Sequence, residues 1–134
     1  MDIKHIAYPG IADEAIDKGI KYLLSNNVNG RWKGLPTLAG ESDIWVTGFV
    51  LAHIHQLSQH TSAIKAAQNF LLRCRHPSGG WSYGIPVPPD ADSTAWCLIA
   101  LQLARAIATP LLEESKKFIW NHFTGSGVST YTSD

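Results

Sequence analysis

Charge is scarce and evenly split in this sequence: eleven Lys and Arg stand against eleven Asp and Glu, and the four types together make up 16% of the chain. A nucleic-acid partner is thereby excluded, because binding a polyanion needs a basic field that displaces its counterions. Cysteine appears twice, as Cys74 and Cys97. Two thiols with no sign of an export route read as reduced packing residues of a cytoplasmic protein, not as a disulfide framework. The first residues, Met1-Asp2-Ile3-Lys4-His5, lack the basic start and apolar run of a secretion signal. No stretch approaches the ~20 apolar residues of a membrane span. Phosphate loops and Gly-x-Ser-x-Gly elbows are missing too, and Thr124-Gly125-Ser126-Gly127 reads as a loop. Finally, no segment alternates with period two for long enough to form a strand.

What the 134 residues do contain is apolar bulk: 45% hydrophobic, with five tryptophans. That suffices to close a core, and the length fits one domain. The chain also repeats itself. Ala15-Ile16-Asp17-Lys18-Gly19-Ile20-Lys21-Tyr22-Leu23-Leu24 aligns with the ten residues from Ala63 to Leu72, 48 positions on, and again with Leu111 to Trp120. An aromatic followed by apolar residues closes each copy: Tyr22, Phe70 and Phe118. Beyond it, Gly30-Arg31-Trp32 matches Gly79-Gly80-Trp81, and Glu41-Ser42-Asp43 matches Asp90-Ala91-Asp92.

Each unit reads as helix, Gly-Trp turn, loop, helix. Ile16, Ile20, Leu23 and Leu24 recur at helical spacing, as do Ile64, Phe70 and Leu71. The second helices, Ile44 to Leu57 and Ala95 to Ile107, carry few charges and read as buried on most sides. The first helices keep a wet face with Asp17, Lys18, Lys21 and Lys65. Helix starts are marked by Thr61-Ser62, by Asp90 or Asp92, and by Thr109-Pro110. The expected fold is all-α: α/α hairpin repeats forming part of an α/α toroid, with the more apolar helices on the inside. Repeat 1 covers 11–59, repeat 2 covers 61–108, and a truncated repeat 3 covers 110–134. Taken together they make residues 1–134 a single partial toroid domain of about two and a half repeats, exposing an uncapped apolar face.

Lys18-Gly19-x-x-Tyr22-Leu23 with Gly30-x-Trp32 resembles the QW repeat of the squalene cyclase and protein prenyltransferase superfamily, as does Ala67-x-x-Phe70-Leu71 with Gly79-Gly80-Trp81. Both copies depart from that pattern at its structural glutamine, where Asn26 or Asn27 and then Arg75 stand; the resemblance implies weaker stacking there. Asp90-Ala91-Asp92-Ser93-Thr94 is similar to the Asp-rich motif of class II terpene cyclases, whose middle aspartate protonates an alkene or epoxide. The resemblance implies that Asp92 is the catalytic acid and Asp90 its carboxylate neighbour. It also implies proton-initiated cyclisation of an apolar isoprenoid substrate, with no cofactor and with possible peripheral membrane contact.

The chemistry has its own logic. Two carboxylates in a dry cavity cannot both ionise cheaply, so one keeps its proton and becomes an acid donor. Trp96 lies one turn below Asp92 on the same helical face. Together with Trp81, Tyr83 and Trp45 it is a candidate lining for the substrate, because a desolvated aromatic face stabilises a cation by ~2 kcal/mol. Alternatives stand beside each residue. Asp90 after Pro88-Pro89 is a good helix N-cap, and so are Glu41 and Asp43 in the first copy. Trp32 and Trp81 suit the packing of turn against hairpin. No metal site is expected: His53 and His55 point to different helix faces, and Cys74-x-His76 stands alone, short of the converging ligands tetrahedral zinc needs. Ser82 in Trp81-Ser82-Tyr83-Gly84 stands where the similar segment of lanthipeptide cyclases has a zinc-binding cysteine. The rival readings are a non-catalytic repeat module for a lipid, peptide or protein partner, and a zinc prenyltransferase β-subunit-like protein. A toroid piece this short is expected to be a fragment of a larger toroid, or a subunit that self-associates or pairs with a second chain to complete the ring.

Overall fold

The computed structural model describes residues 9–132. The N-terminal stretch read above for an export signal lies outside the described residues, as do residues 133 and 134. Five α-helices carry the fold: α1 (Pro9–Ser25), α2 (Asp43–Ile54), α3 (Thr61–Cys74), α4 (Ala91–Leu103) and α5 (Thr109–Trp120). No described helix is long and apolar enough to cross a membrane.

Small departures from the expected boundaries have local causes. Thr61 is the first residue of α3 and not its cap: a 3-10 turn, Ser58–His60, leads into the helix, and the Thr61 hydroxyl donates to the Ser58 carbonyl at 2.7 Å. Helix α2 stops at Ile54 and α4 runs Ala91–Leu103, earlier at both ends than hydropathy suggested. Beyond α4, Arg105 adopts φ 51° and turns the chain. Two short antiparallel ladders also form, β1 (Pro36–Thr37) with β2 (Gly40–Glu41), and β3 (Phe123–Thr124) with β4 (Gly127–Val128). At two residues a strand they are turn closures, too short to leave a period in the sequence.

Helices α2 and α4 make the most extensive helix pair, with α3 packed on α2 and α5 on α4. A glycine lets the central pair approach. At Gly48 a Cβ would stand 3.1 Å from both the backbone nitrogen and Sγ of Cys97. The core runs along this seam: Leu51, Ala67, Leu71, Trp81, Cys97, Ala100 and Leu101 are wholly buried. Each large side chain so buried stabilises the fold by roughly 1.5–3 kcal/mol. Helix α1 differs: Ile11, Ile16 and Tyr22 are exposed, and only its C-terminal end, through Leu23, reaches the core.

The two Gly-Trp turns are built alike. Trp32 Nε1 donates to the Leu23 carbonyl at 2.6 Å, and Trp81 Nε1 to the Leu71 carbonyl at 2.7 Å. Their backbone nitrogens donate to Thr47 Oγ1 at 3.0 Å and Thr94 Oγ1 at 2.8 Å. Each tryptophan thus ties the helix before the turn to the helix after it. The glycines two residues earlier, Gly30 and Gly79, have φ of 87° and 98°. A Cβ on Gly30 would overlap the Ala66 carbonyl, and one on Gly79 would lie 2.9 Å from that of Glu114. The turns therefore seat directly on the backbones of α3 and α5. Arg75, at the position where the repeat pattern has its glutamine, makes three contacts of its own. Its guanidinium donates to Ser115 Oγ (3.2 Å), the Leu111 carbonyl (3.3 Å) and Glu114 Oε2 (2.8 Å), stapling the end of α3 to α5.

Candidate functional site

The loop Trp81 to Asp90 brings the start of α4 beside the start of α2. The Asp90 amide donates to the Trp81 carbonyl at 3.0 Å, closing the loop. Asp90 then caps α4: Oδ1 accepts from the Ser93 amide at 2.8 Å, satisfying one of the free N–H groups of the first turn. The residue is 3% exposed, and its Oδ2 is buried without a partner. Asp92, two residues on, faces outward, and its Oδ2 accepts from Trp45 Nε1 at 2.7 Å. The two carboxylates therefore diverge. Asp90 holds the helix from inside, and Asp92 is presented to an open cleft.

The matching acids of the first copy are used differently. Glu41 and Asp43, expected as helix caps, do not cap α2. Its N-cap is Ser42, which makes no side-chain cap bond, and the amides of Ile44 and Trp45 donate instead to the Tyr83 carbonyl at 3.2 and 3.3 Å. Asp43 pairs with Arg31 at 3.1 Å and Glu41 with Lys33 at 3.2 Å. At the positions equivalent to Arg31 and Lys33 the second copy has Gly80 and Ser82. Among the described residues neither Asp90 nor Asp92 has an ion-pair partner. The duplicated acids are neutralised in one copy and left free in the other, a contrast written in Gly30-Arg31-Trp32-Lys33 against Gly79-Gly80-Trp81-Ser82.

Below Asp92 runs an aromatic strip. Trp45 and Phe49 stack with centroids 5.4 Å apart, and Trp96 meets them edge-on at 6.4 and 4.8 Å. His53 continues the line, 4.5 Å from Phe49 and 5.9 Å from Trp96. Trp45 and Trp96, singled out in the sequence, both belong to this strip. Phe49 and His53 were missed, although their spacing of four and eight residues from Trp45 puts all three on one helical face. Ile99 and Leu103 extend the exposed apolar surface along α4.

The cleft at Asp92 encloses about 470 Å³ and is lined by Trp45, Tyr83, Asp90, Asp92, Thr130 and Tyr131, among others. A second hollow of about 330 Å³ flanks Asp92 on its other side, against Ala95, Ile119 and Val128. Tyr83 sits at the rim, with its hydroxyl 3.2 Å from Thr37 Oγ1. Burial first, then the nearby Asp90 and Tyr83, push the Tyr131 phenol up. Trp81 lies away from the cleft: it is wholly buried in the turn, with the Arg75 guanidinium 5.8 Å from its ring centre. Burial also raises both thiols, Cys97 most strongly, which keeps them protonated and packed inside. Among the described residues no three His, Cys, Asp or Glu side chains converge as a metal site would require.

No protein-family model and no curated protein matches the sequence. Solved structures do. A protein from Actinoplanes is 34% identical, with a TM-score of 0.80 over 89% of this chain and 36% of that one. The type II terpene cyclase MstE from Scytonema, in a variant complexed with its substrate geranylgeranyl dihydroxybenzoate, is 25% identical, with a TM-score of 0.79 over 94% of this chain and 38% of that one. A second MstE variant, holding the product merosterolic acid A, is 24% identical, with a TM-score of 0.79 over 90% and 37%. The chain thus has a terpene cyclase-like fold, and it spans under two fifths of the length of the structures it matches.

Proposed function

We propose that this chain carries the acid-bearing wall of a class II terpene cyclase-type enzyme, which starts cyclisation of a polyprenyl substrate by protonating it. The observation that carries the reading is Asp92: a carboxyl group at the first turn of α4, held by the Trp45 indole, without an ion pair, and directly above an aromatic strip. Asp92 gives its proton to a terminal alkene or epoxide, and the cation that forms moves along Trp45, Phe49 and Trp96, whose faces stabilise it without reacting. Asp90 acts through the backbone: by capping α4 from a buried position it holds the first turn, and so Asp92, in place. Tyr83 and Tyr131 shape the mouth of the cleft.

The wall is open to solvent along the strip, and carbocation chemistry requires water to be kept out. In our reading two hairpin repeats over 11–59 and 61–108, with the third over 110–134, form an arc of an α/α toroid. Further hairpins, from the remainder of a larger toroid, a second copy or a partner chain, enclose the cleft. The protein works in the cytoplasm or at a membrane surface, where an apolar isoprenoid is met.

The test is incubation of the full chain with geranylgeranyl dihydroxybenzoate, geranylgeranyl diphosphate and squalene, followed by mass and NMR analysis of the products. A cyclised isomer is expected, with formation falling roughly 10²-fold or more in Asp92→Asn. Asp43→Asn serves as the control: it breaks the pair with Arg31, is expected to cost ~0.5–1 kcal/mol of stability, and should leave cyclisation in place. No cyclised product, or equal rates for Asp92→Asn and the unaltered chain, overturns the proposal.

A further inference from the structure

The aromatic strip has an ionisable group at each end. Helix α2 from Asp43 to Ile54 contains two acid–base side chains, Asp43 and His53, and Asp43 is engaged by Arg31. Helix α4 contains Asp92 and the wholly buried Cys97. Along the exposed face shared by the two helices, the titratable side chains are therefore Asp92 at the top and His53 below, with Trp45, Phe49 and Trp96 between. Eight residues of helix separate His53 from Trp45, the partner of Asp92, or about 12 Å along the axis.

The imidazole is also oriented. His53 Nδ1 lies 2.7 Å from the Phe49 carbonyl oxygen. A carbonyl oxygen only accepts, so Nδ1 carries the hydrogen and donates it. In the neutral ring Nε2 is then bare, an acceptor at the far side of a ring that lies tilted against Phe49 and Trp96. His122 makes the same contacts with Phe118, but it is 3% exposed, whereas His53 stands on the exposed aromatic face.

We propose that His53 is the terminating base of the reaction proposed above, so that the proton enters at Asp92 and leaves at His53. Asp92 transfers its proton to the less substituted carbon of the terminal double bond and becomes a carboxylate; the cation left on the other carbon is attacked by the next alkene electron pair, and successive pairs close the rings. The last carbocation then loses a proton from a neighbouring carbon to Nε2. The C–H electron pair becomes the new double bond and His53 becomes imidazolium. Solvent takes that proton and returns one to Asp92, so the product is an isomer of the substrate. The distance between the two groups sets how far the cation travels, and hence how many rings close before deprotonation.

This inference rests on the cyclase reading, and two measurements separate their fates. In ¹⁵N–¹H NMR of the full chain, the neutral ring of His53 is expected as the Nδ1–H tautomer; the opposite tautomer overturns the assignment whatever the activity. In product analysis His53→Phe keeps an aromatic ring against Phe49 and Trp96 while removing the base. Substrate consumption should be retained, with alkene formation falling roughly 10²-fold in favour of a water-quenched alcohol or a shifted double bond. If Asp92→Asn abolishes product while His53→Phe leaves its double bond where it was, the role of His53 fails and the cyclase reading stands. If the unaltered chain cyclises nothing, or Asp92→Asn matches it, both fail.

Discussion

A carboxylate's neighbours decide its use more than its place in a repeat does. Asp43 and Asp92 occupy equivalent positions, yet the first is bound to a guanidinium and the second only to an indole N–H. One residue, arginine or glycine before the tryptophan, makes the difference. A second consequence at this scale concerns Cys97, whose thiol burial raises well above 9.0. The unfolded chain ionises this group near 9.0 and the folded chain does not, so its contribution to stability is complete below 9.0 and is lost as pH rises toward the folded value. Melting temperature is therefore expected to fall above pH ~9, and Cys97→Ala to flatten that fall at some cost in packing. Thermal scans from pH 7 to pH 10.5 read the effect.

Helix spacing and helix starts were legible because they rest on local chemistry: apolar periodicity, Asp90 ahead of α4, and Pro110 in the first turn of α5. The Gly-Trp turns were legible as a repeat, although the sequence shows only that glycine and tryptophan recur. That the glycine seats on the next helix's carbonyl while the indole ties back to the previous one depends on contacts between distant segments. The same holds for the start of α2, capped by a carbonyl about forty residues away in sequence, and for Arg75, which reaches α5. Phe49 and His53 escaped because nothing local distinguishes an exposed aromatic face from a buried one. The turn geometry predicts a sharp contrast between glycines. Gly79→Ala forces a side chain into φ 98° against the Glu114 carbonyl and should cost about 1–3 kcal/mol, whereas Gly125→Ala, with open space around it, should change little. Urea denaturation of the two variants measures the difference.

On the scale of the whole molecule, the unusual property is how much apolar surface stays uncovered. Phe49, Ile99 and Leu103 on the α2–α4 face, Ile11 and Ile16 on α1, and Trp120 with Phe123 beyond α5 are all more than a third exposed. Contiguous exposed apolar stretches mark surfaces that meet a partner or a ligand. Sedimentation equilibrium is expected to show mass rising with concentration, and Ile99→Gln with Leu103→Gln to shift the chain toward monomer. A parent chain that stays monomeric at high concentration would count against closure by a second copy.

The indole of Trp45 has a further use. Its N–H points at the carboxylate on which the proposed chemistry begins, whereas Trp32 and Trp81 are sealed in the turns and Trp120 lies in water. The protein thus holds an intrinsic optical reporter at the head of the cleft. Light emitted by Trp45 and its neighbour Trp96 should respond to whatever reaches Asp92, against a steady blue background from the two sealed rings and a red component from Trp120 that a soluble quencher removes.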